Sequence, residues 1–131
     1  MTIHSDFIAE VVSITEVSDN CEGRVNFVLN RFEDYPSILI QRLSDSRSLY
    51  YANQLNNREL VYQIDIYSTS YADLIEVSEG ILGHFQAYTG NLNNNPDSFV
   101  RQCNAELLVE TFEDDKPKIL RHIIEVTLTA I

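Results

Sequence analysis

Three histidines, two cysteines and one run of carboxylates are the residues of this 131-residue chain from which chemistry could be built. His4, His84 and His122 stand far apart, and none has a cysteine or second histidine at the i+2 to i+4 spacing that lets one turn hold zinc. Neither a metal nor a cofactor is expected. Glu113, Asp114 and Asp115 could ligate calcium or act as paired carboxylates, but Lys116-Pro117-Lys118 adjoins them and the EF-hand spacing is missing. A solvated hairpin tip is the plainer reading. Cys21 and Cys103 form no CxxC pair and read as free, buried thiols. Gly23, Gly80, Gly83 and Gly90 make neither a dinucleotide fingerprint nor a phosphate loop. With no Ser/His/Asp or Cys/His set, no catalytic residue is expected; the enzyme reading that stays open is a small cofactor-free acid/base catalyst built on Asp65 or His122.

The elements that would position these residues follow from hydrophobic spacing. Phe7, Ile8, Val11, Val12 and Ile14 recur at helical intervals behind Ser5 and Asp6, which are candidate N-caps, so residues 5–16 read as a helix. Residues 18–23 look turn-like, and 25–29 fit a strand or a helical turn. Tyr35-Pro36 punctuates the chain ahead of a strand at 37–43. A polar turn at 44–48, a short strand at 49–52 and an Asn-rich loop at 53–57 follow. Residues 60–67 alternate cleanly, Tyr62, Ile64 and Ile66 facing one way and Gln63, Asp65 and Tyr67 the other. Residues 71–88 are the clearest helix: Leu74, Ile75, Ser78, Ile81, Leu82 and Phe85 make one stripe, with Asp73, Glu76 and Glu79 opposite. His84 would then complement the negative end of this helix. Gly90 reads as its terminator, before a loop closed by Pro96. Two long strands, 99–112 and 118–131, complete the order, and His122 shares the apolar side of the second with Ile124, Val126, Leu128 and Ala130. A histidine there is ordinarily a satisfied member of the core. The expectation is one α+β domain over residues 1–131, a mostly antiparallel sheet with two main helices packed on one face.

Charge is the least ordinary property. Twenty acidic residues against nine basic ones leave a net charge of −11, and between Glu59 and Val100 there is no Lys or Arg. Phosphate backbones are bound by cationic side chains that release counterions, so specific nucleic-acid binding is disfavoured. No apolar run approaches the roughly 20 residues of a bilayer-spanning helix. The opening residues MTIHSDFIAE lack a basic segment followed by an apolar stretch, so synthesis in the cytosol without a secretory signal is expected.

Residues 61–81, Val-Tyr-Gln-Ile-Asp-Ile-Tyr-Ser-Thr-Ser-Tyr-Ala-Asp-Leu-Ile-Glu-Val-Ser-Glu-Gly-Ile, resemble the central signature of phage tail terminator (tail completion) proteins. In that family a strand ending in an Ile-Asp-Ile-Tyr-like motif passes through a Ser/Thr turn into an amphipathic helix. Tyr35-Pro36 before a strand, and Arg121 leading a final amphipathic strand, look like further landmarks in the same order. The Asn-rich loop at 91–95 and the long strand at 99–112 depart from the pattern. The resemblance implies a non-enzymatic virion protein of the tail or neck, made in the host cytoplasm. Such a subunit forms a homo-oligomeric ring, a hexamer in the family, that sits on the tail tube protein, halts polymerisation and offers a surface to the head connector. Candidate contacts are Tyr50 and Tyr51 in the 44–58 region, and Glu113, Asp114, Asp115, Lys116 and Lys118 at the hairpin tip. A rival from the binding class is an acidic DNA mimic whose carboxylates occupy a DNA-binding protein.

Overall fold

A computed structural model describes residues 2–26, 35–49, 56–113 and 119–130 of the protein. Helix α1 (Ile3–Ser13) starts at Thr2, whose hydroxyl accepts from the Ser5 backbone N–H while the Ser5 side chain caps the Thr2 N–H in return. Thr2 is therefore the N-cap, and not Ser5 or Asp6. Asp6 is instead fully buried in the first turn. Ile14 leaves helical geometry, and a second helix, α2 (Thr15–Cys21), occupies most of the segment expected to be a turn; it stops where Glu22 and Gly23 take positive φ. Local polarity hid this helix, because only Val17 and Cys21 of its seven residues are buried.

Strand β1 (Val25–Asn26) runs parallel to the start of β2 (Ser37–Leu49), which follows the cis Tyr35–Pro36 peptide. The expected turn at 44–48 does not exist. Ser44 to Ser48 continue β2, paired residue by residue with Val61 down to Asn57 of β3 (Asn56–Ser68), after a bulge at Leu43. Helix α3 (Tyr71–Phe85) comes next, capped by Ser70, whose hydroxyl accepts from Asp73 N–H. It ends at Phe85, three residues short of the expected 88, with Gln86 as its C-cap; Gly90 opens a two-residue strand, β4 (Gly90–Asn91), instead of stopping the helix. Two short 3₁₀ turns (92–94 and 96–98) lead into β5 (Phe99–Glu113), which pairs with β6 (Ile119–Ala130). The six strands lie in the order β1-β2-β3-β6-β5-β4, and all pairs except β1–β2 are antiparallel.

The α+β expectation is met, with the helices on one face of the sheet. That face is lined by Ile38 and Ile40 of β2, Leu60, Tyr62, Ile64 and Ile66 of β3, Cys103 and Ala105 of β5, and Ile124, Val126 and Leu128 of β6. Period-two alternation places these side chains on one surface, and the helices must cover it. Helix α3 does so with Leu74, Val77, Ser78, Ile81 and Phe85. Val77 belongs to the stripe, whereas Ile75 and Leu82 are only partly buried. Each large side chain withdrawn from water contributes about 1.5–3 kcal/mol, far more than any helix propensity. Helix α2 lies directly on α3 at Gly80, where an added Cβ would sit 2.6 Å from Glu16 Oε2 and 2.8 Å from its Cβ. On the opposite face of the sheet Leu39, Tyr67 and Ile119 make a smaller cluster.

Candidate functional site

The chemically capable residues are dispersed over both faces, each engaged with a different partner. On α1, His4 Nδ1 lies 3.2 Å from the Tyr62 hydroxyl and its ring stacks on Tyr62 at 5.6 Å. Burial, and then the Arg42 charge, hold the His4 pKa below its ordinary value. His84, in the last turn of α3, meets Glu10 of α1 at 2.8 Å. The helix-end placement thus agrees with the sequence, and the carboxylate partner was not visible in it.

His122 is buried, 1% exposed, with Nε2 at 2.6 Å from Glu110 Oε2 on the neighbouring strand. The Tyr71 hydroxyl donates to the same oxygen at 3.2 Å. His122 holds the Glu110 carboxyl below its usual range, desolvation opposing it and the Tyr71 hydroxyl adding a smaller lowering, and that carboxylate raises the Tyr71 phenol. Beside them is a cavity of about 280 Å³ lined by Tyr71, Leu74, Glu110, Thr111 and Leu120. His122 Nδ1 is buried without a hydrogen-bond partner among the described residues, so this core histidine is satisfied on one nitrogen only.

Asp65, the other residue considered as a base, is 2% exposed on the face away from the helices. Its oxygens accept from Arg121 at 2.6 Å, Gln63 at 2.9 Å and the Tyr67 hydroxyl at 3.4 Å, and the Arg121 guanidinium lies 5.5 Å from the Tyr67 ring centre. A carboxylate so supplied with donors is an anchor for the β3–β6 seam. Cys21 and Cys103 are buried and free, and burial pushes their thiols up to about 11 and about 12, far from thiolate reactivity. Among the described residues no three His, Cys, Asp or Glu side chains stand close enough to hold a metal ion. Exhaustive dialysis against a chelator is expected to leave the melting temperature unchanged; a stoichiometric metal whose removal lowers it would contradict the histidine spacing.

Two carboxylates of α1 clamp the 92–98 segment, an arrangement sequence reasoning missed. Asp6 accepts from the Ser98 hydroxyl, from Asn95 Nδ2 at 2.9 Å and from Asn93 Nδ2 at 3.3 Å. Glu10 accepts from Asn93 N–H at 2.7 Å with the oxygen it does not turn toward His84. Asn93 and Asn94 have φ of 52° and 56°, a conformation asparagine tolerates better than most residues. The available signal was the pairing of an Asn-rich loop with Asp6 and Glu10, one helical turn apart on a single face.

Of the interface candidates, Tyr50, Tyr51, Asp114, Asp115, Lys116 and Lys118 lie outside the described residues, and Glu113 is the last residue of β5. The described surface adds apolar residues that the sequence did not single out: Leu43 of β2 is 51% exposed, and Leu107, Leu108 and Val109 of β5 are 39%, 46% and 41% exposed. Among the described residues the polar groups are dispersed over both faces of the α+β domain, and β2 and β5 leave these apolar side chains at the surface.

No protein-family model matches the chain, and no curated protein does. Among matching solved structures is a chain described as "Virion of native gene transfer agent (GTA) particle", 7% identical, with a TM-score of 0.49 over 98% of this chain and 90% of that one. At that score the likeness bears no weight on function.

Proposed function

We propose that the protein is a structural subunit of a long-tailed phage virion that forms a ring on the tail tube, stops its polymerisation and joins it to the head connector. The observation that supports this reading is the corner at 61–81, where residues resembling the tail terminator signature form β3, a Ser68–Ser70 turn and the capped amphipathic α3. Many α+β domains use such a corner. Its weight comes from the landmarks in the same order, Tyr35-Pro36 ahead of β2 and Arg121 near the start of β6. In this reading the subunit acts without catalysis or cofactor, and its partners are copies of itself in a hexameric ring, the tube protein and the neck. A net charge of −11 suits a ring through which DNA must pass without adhering.

Deleting the gene is expected to leave heads filled and tubes overlong or unattached in electron micrographs. Lys116→Glu with Lys118→Glu should weaken one ring face while leaving the circular dichroism spectrum unchanged. Tails of normal length joined to heads in the deletion would remove the terminator reading, and the DNA-mimic reading would then take its place.

A further inference from the structure

The cavity at the first turn of α3 is built from three elements: Tyr71 and Leu74 of α3, Glu110 and Thr111 of β5, and Leu120 of β6. Glu110 reaches it because of the bulge in β5. Leu107 pairs with Ile124 and Val109 with Ile123, so the extra residue moves Glu110 into the place opposite His122 that Val109 would hold in a regular ladder. Bulges re-aim side chains in this way, and this one sets a carboxylate where a valine would stand. Oε2 of Glu110 is then held twice, by His122 Nε2 at 2.6 Å and by the Tyr71 hydroxyl at 3.2 Å. A fully buried histidine, with Nδ1 unpartnered among the described residues, is thus given over to fixing one surface side chain. An apolar residue would pack there without leaving a polar atom unsatisfied. Oε1 of Glu110 has no hydrogen-bond partner among the described residues, and the side chain is 51% exposed.

We propose that this cavity binds a primary ammonium group on an unbranched alkyl stem, the ammonium donating to Glu110 Oε1 and the stem lying on Leu74 and Leu120. This goes beyond the ring reading above and does not depend on it. A volume of about 280 Å³ falls just under the roughly 300–1,000 Å³ of pockets for drug-sized molecules, so it suits a ligand the size of one side chain. An anionic ligand is opposed by Glu110 and by the net charge of −11, and no Lys or Arg is among the described lining residues. One free oxygen suits a compact ammonium better than a guanidinium, whose fork pairs with both oxygens of a carboxylate. The ring of Tyr71, half exposed at the same cavity, adds an electron-rich surface that attracts a cation. Because His122 and Tyr71 already fix the carboxylate, little of its freedom is left to lose on binding.

The test is an NMR titration of isotope-labelled protein with hexylammonium, hexanol and hexanoate. Hexylammonium should give saturable shifts confined to Tyr71, Leu74, Glu110 and Leu120, and should bind about tenfold or more tightly than the other two. Glu110→Gln should remove that preference, and Tyr71→Ala, a change at an exposed position, should weaken hexylammonium binding with the melting temperature little altered. His122 acts through Glu110, so His122→Leu should lower the preference for amine over alcohol while His122→Gln, which keeps an N–H donor, retains it. A purely structural role would weaken both ligands alike. A capped lysine peptide separates the two sources of such a group: binding at least as strong as that of hexylammonium assigns the site to a lysine side chain of a protein partner, and binding of the free amine alone assigns it to a small amine. Hexanol binding as tightly as the amine, shifts spread over the acidic surface, or no shift at the cavity would each overturn the proposal.

Discussion

Phe85→Ala should lower the free energy of unfolding by about 3–5 kcal/mol, the range for emptying a fully enclosed aromatic site. Phe85 is 0% exposed at the end of α3, where its ring meets Phe7 of α1 at 5.2 Å; Phe7 in turn stacks on Tyr62 of β3 at 4.0 Å. One side chain thus sits where two helices and the sheet converge. Truncation removes the apolar transfer energy and leaves a space that three elements held by separate hydrogen-bond systems cannot close together. With an m-value of roughly 2 kcal/mol/M, the urea midpoint should fall by about 1.5–2.5 M. An unchanged midpoint would mean that α3 is peripheral to the cooperative unit.

The second large effect is expected at Asp6. Asp6→Ala should cost about 2–4 kcal/mol, because the donors of Ser98 and Asn95 lose a charged acceptor where water is largely excluded. Asp6→Asn keeps one acceptor oxygen and should cost less. The Ser98 hydroxyl is the main cause that holds the Asp6 pKa below the ordinary aspartate value of 3.8; burial opposes it, and Asn95 and Asn93 add to the lowering. A depressed folded-state pKa gives stability that is fully present above the unfolded value and is lost as pH falls through the folded one. The stability gap between the native protein and Asp6→Asn should therefore hold at neutral pH and narrow below about pH 4. A gap that stays constant down to pH 2 would show that the carboxylate is not the group clamping the 92–98 segment.

The elements that could be read from the sequence are those with two contrasting faces. In β6 and β3 every second side chain meets the helices, so His122 to Ala130 and Tyr62 to Ile66 announced their orientation. The far half of β2 has no such contrast. Ser44, Asp45 and Ser46 are exposed, so the composition there is that of a turn although backbone pairing with β3 makes it a strand. Helix α2 was missed for a related reason, since it buries only two side chains and gains its place through contact with α3 at Gly80. The candidate site was less legible still. Asp6 has the residue type and position of a helix cap, and only its long-range partners, Asn93, Asn95 and Ser98, reveal that it is an acceptor for a distant loop. The partners of His84 and His122 lie on other elements, beyond the reach of any spacing rule.

The middle of the sheet is a seam between β3 and β6, the two strands that each have a long neighbour on both sides. Vectorial synthesis gives this seam a temporal meaning. The β2–β3 hairpin is complete long before β6 leaves the ribosome, and in that interval the whole length of β3 offers unpaired backbone and the apolar row Leu60, Tyr62, Ile64 and Ile66. Distant segments must close a large loop before either half is protected, which slows folding and lengthens exposure. A nascent chain of this topology therefore keeps the apolar row of β3 without its β6 cover until residues 119–130 have emerged, an interval in which copies made on neighbouring ribosomes are also near.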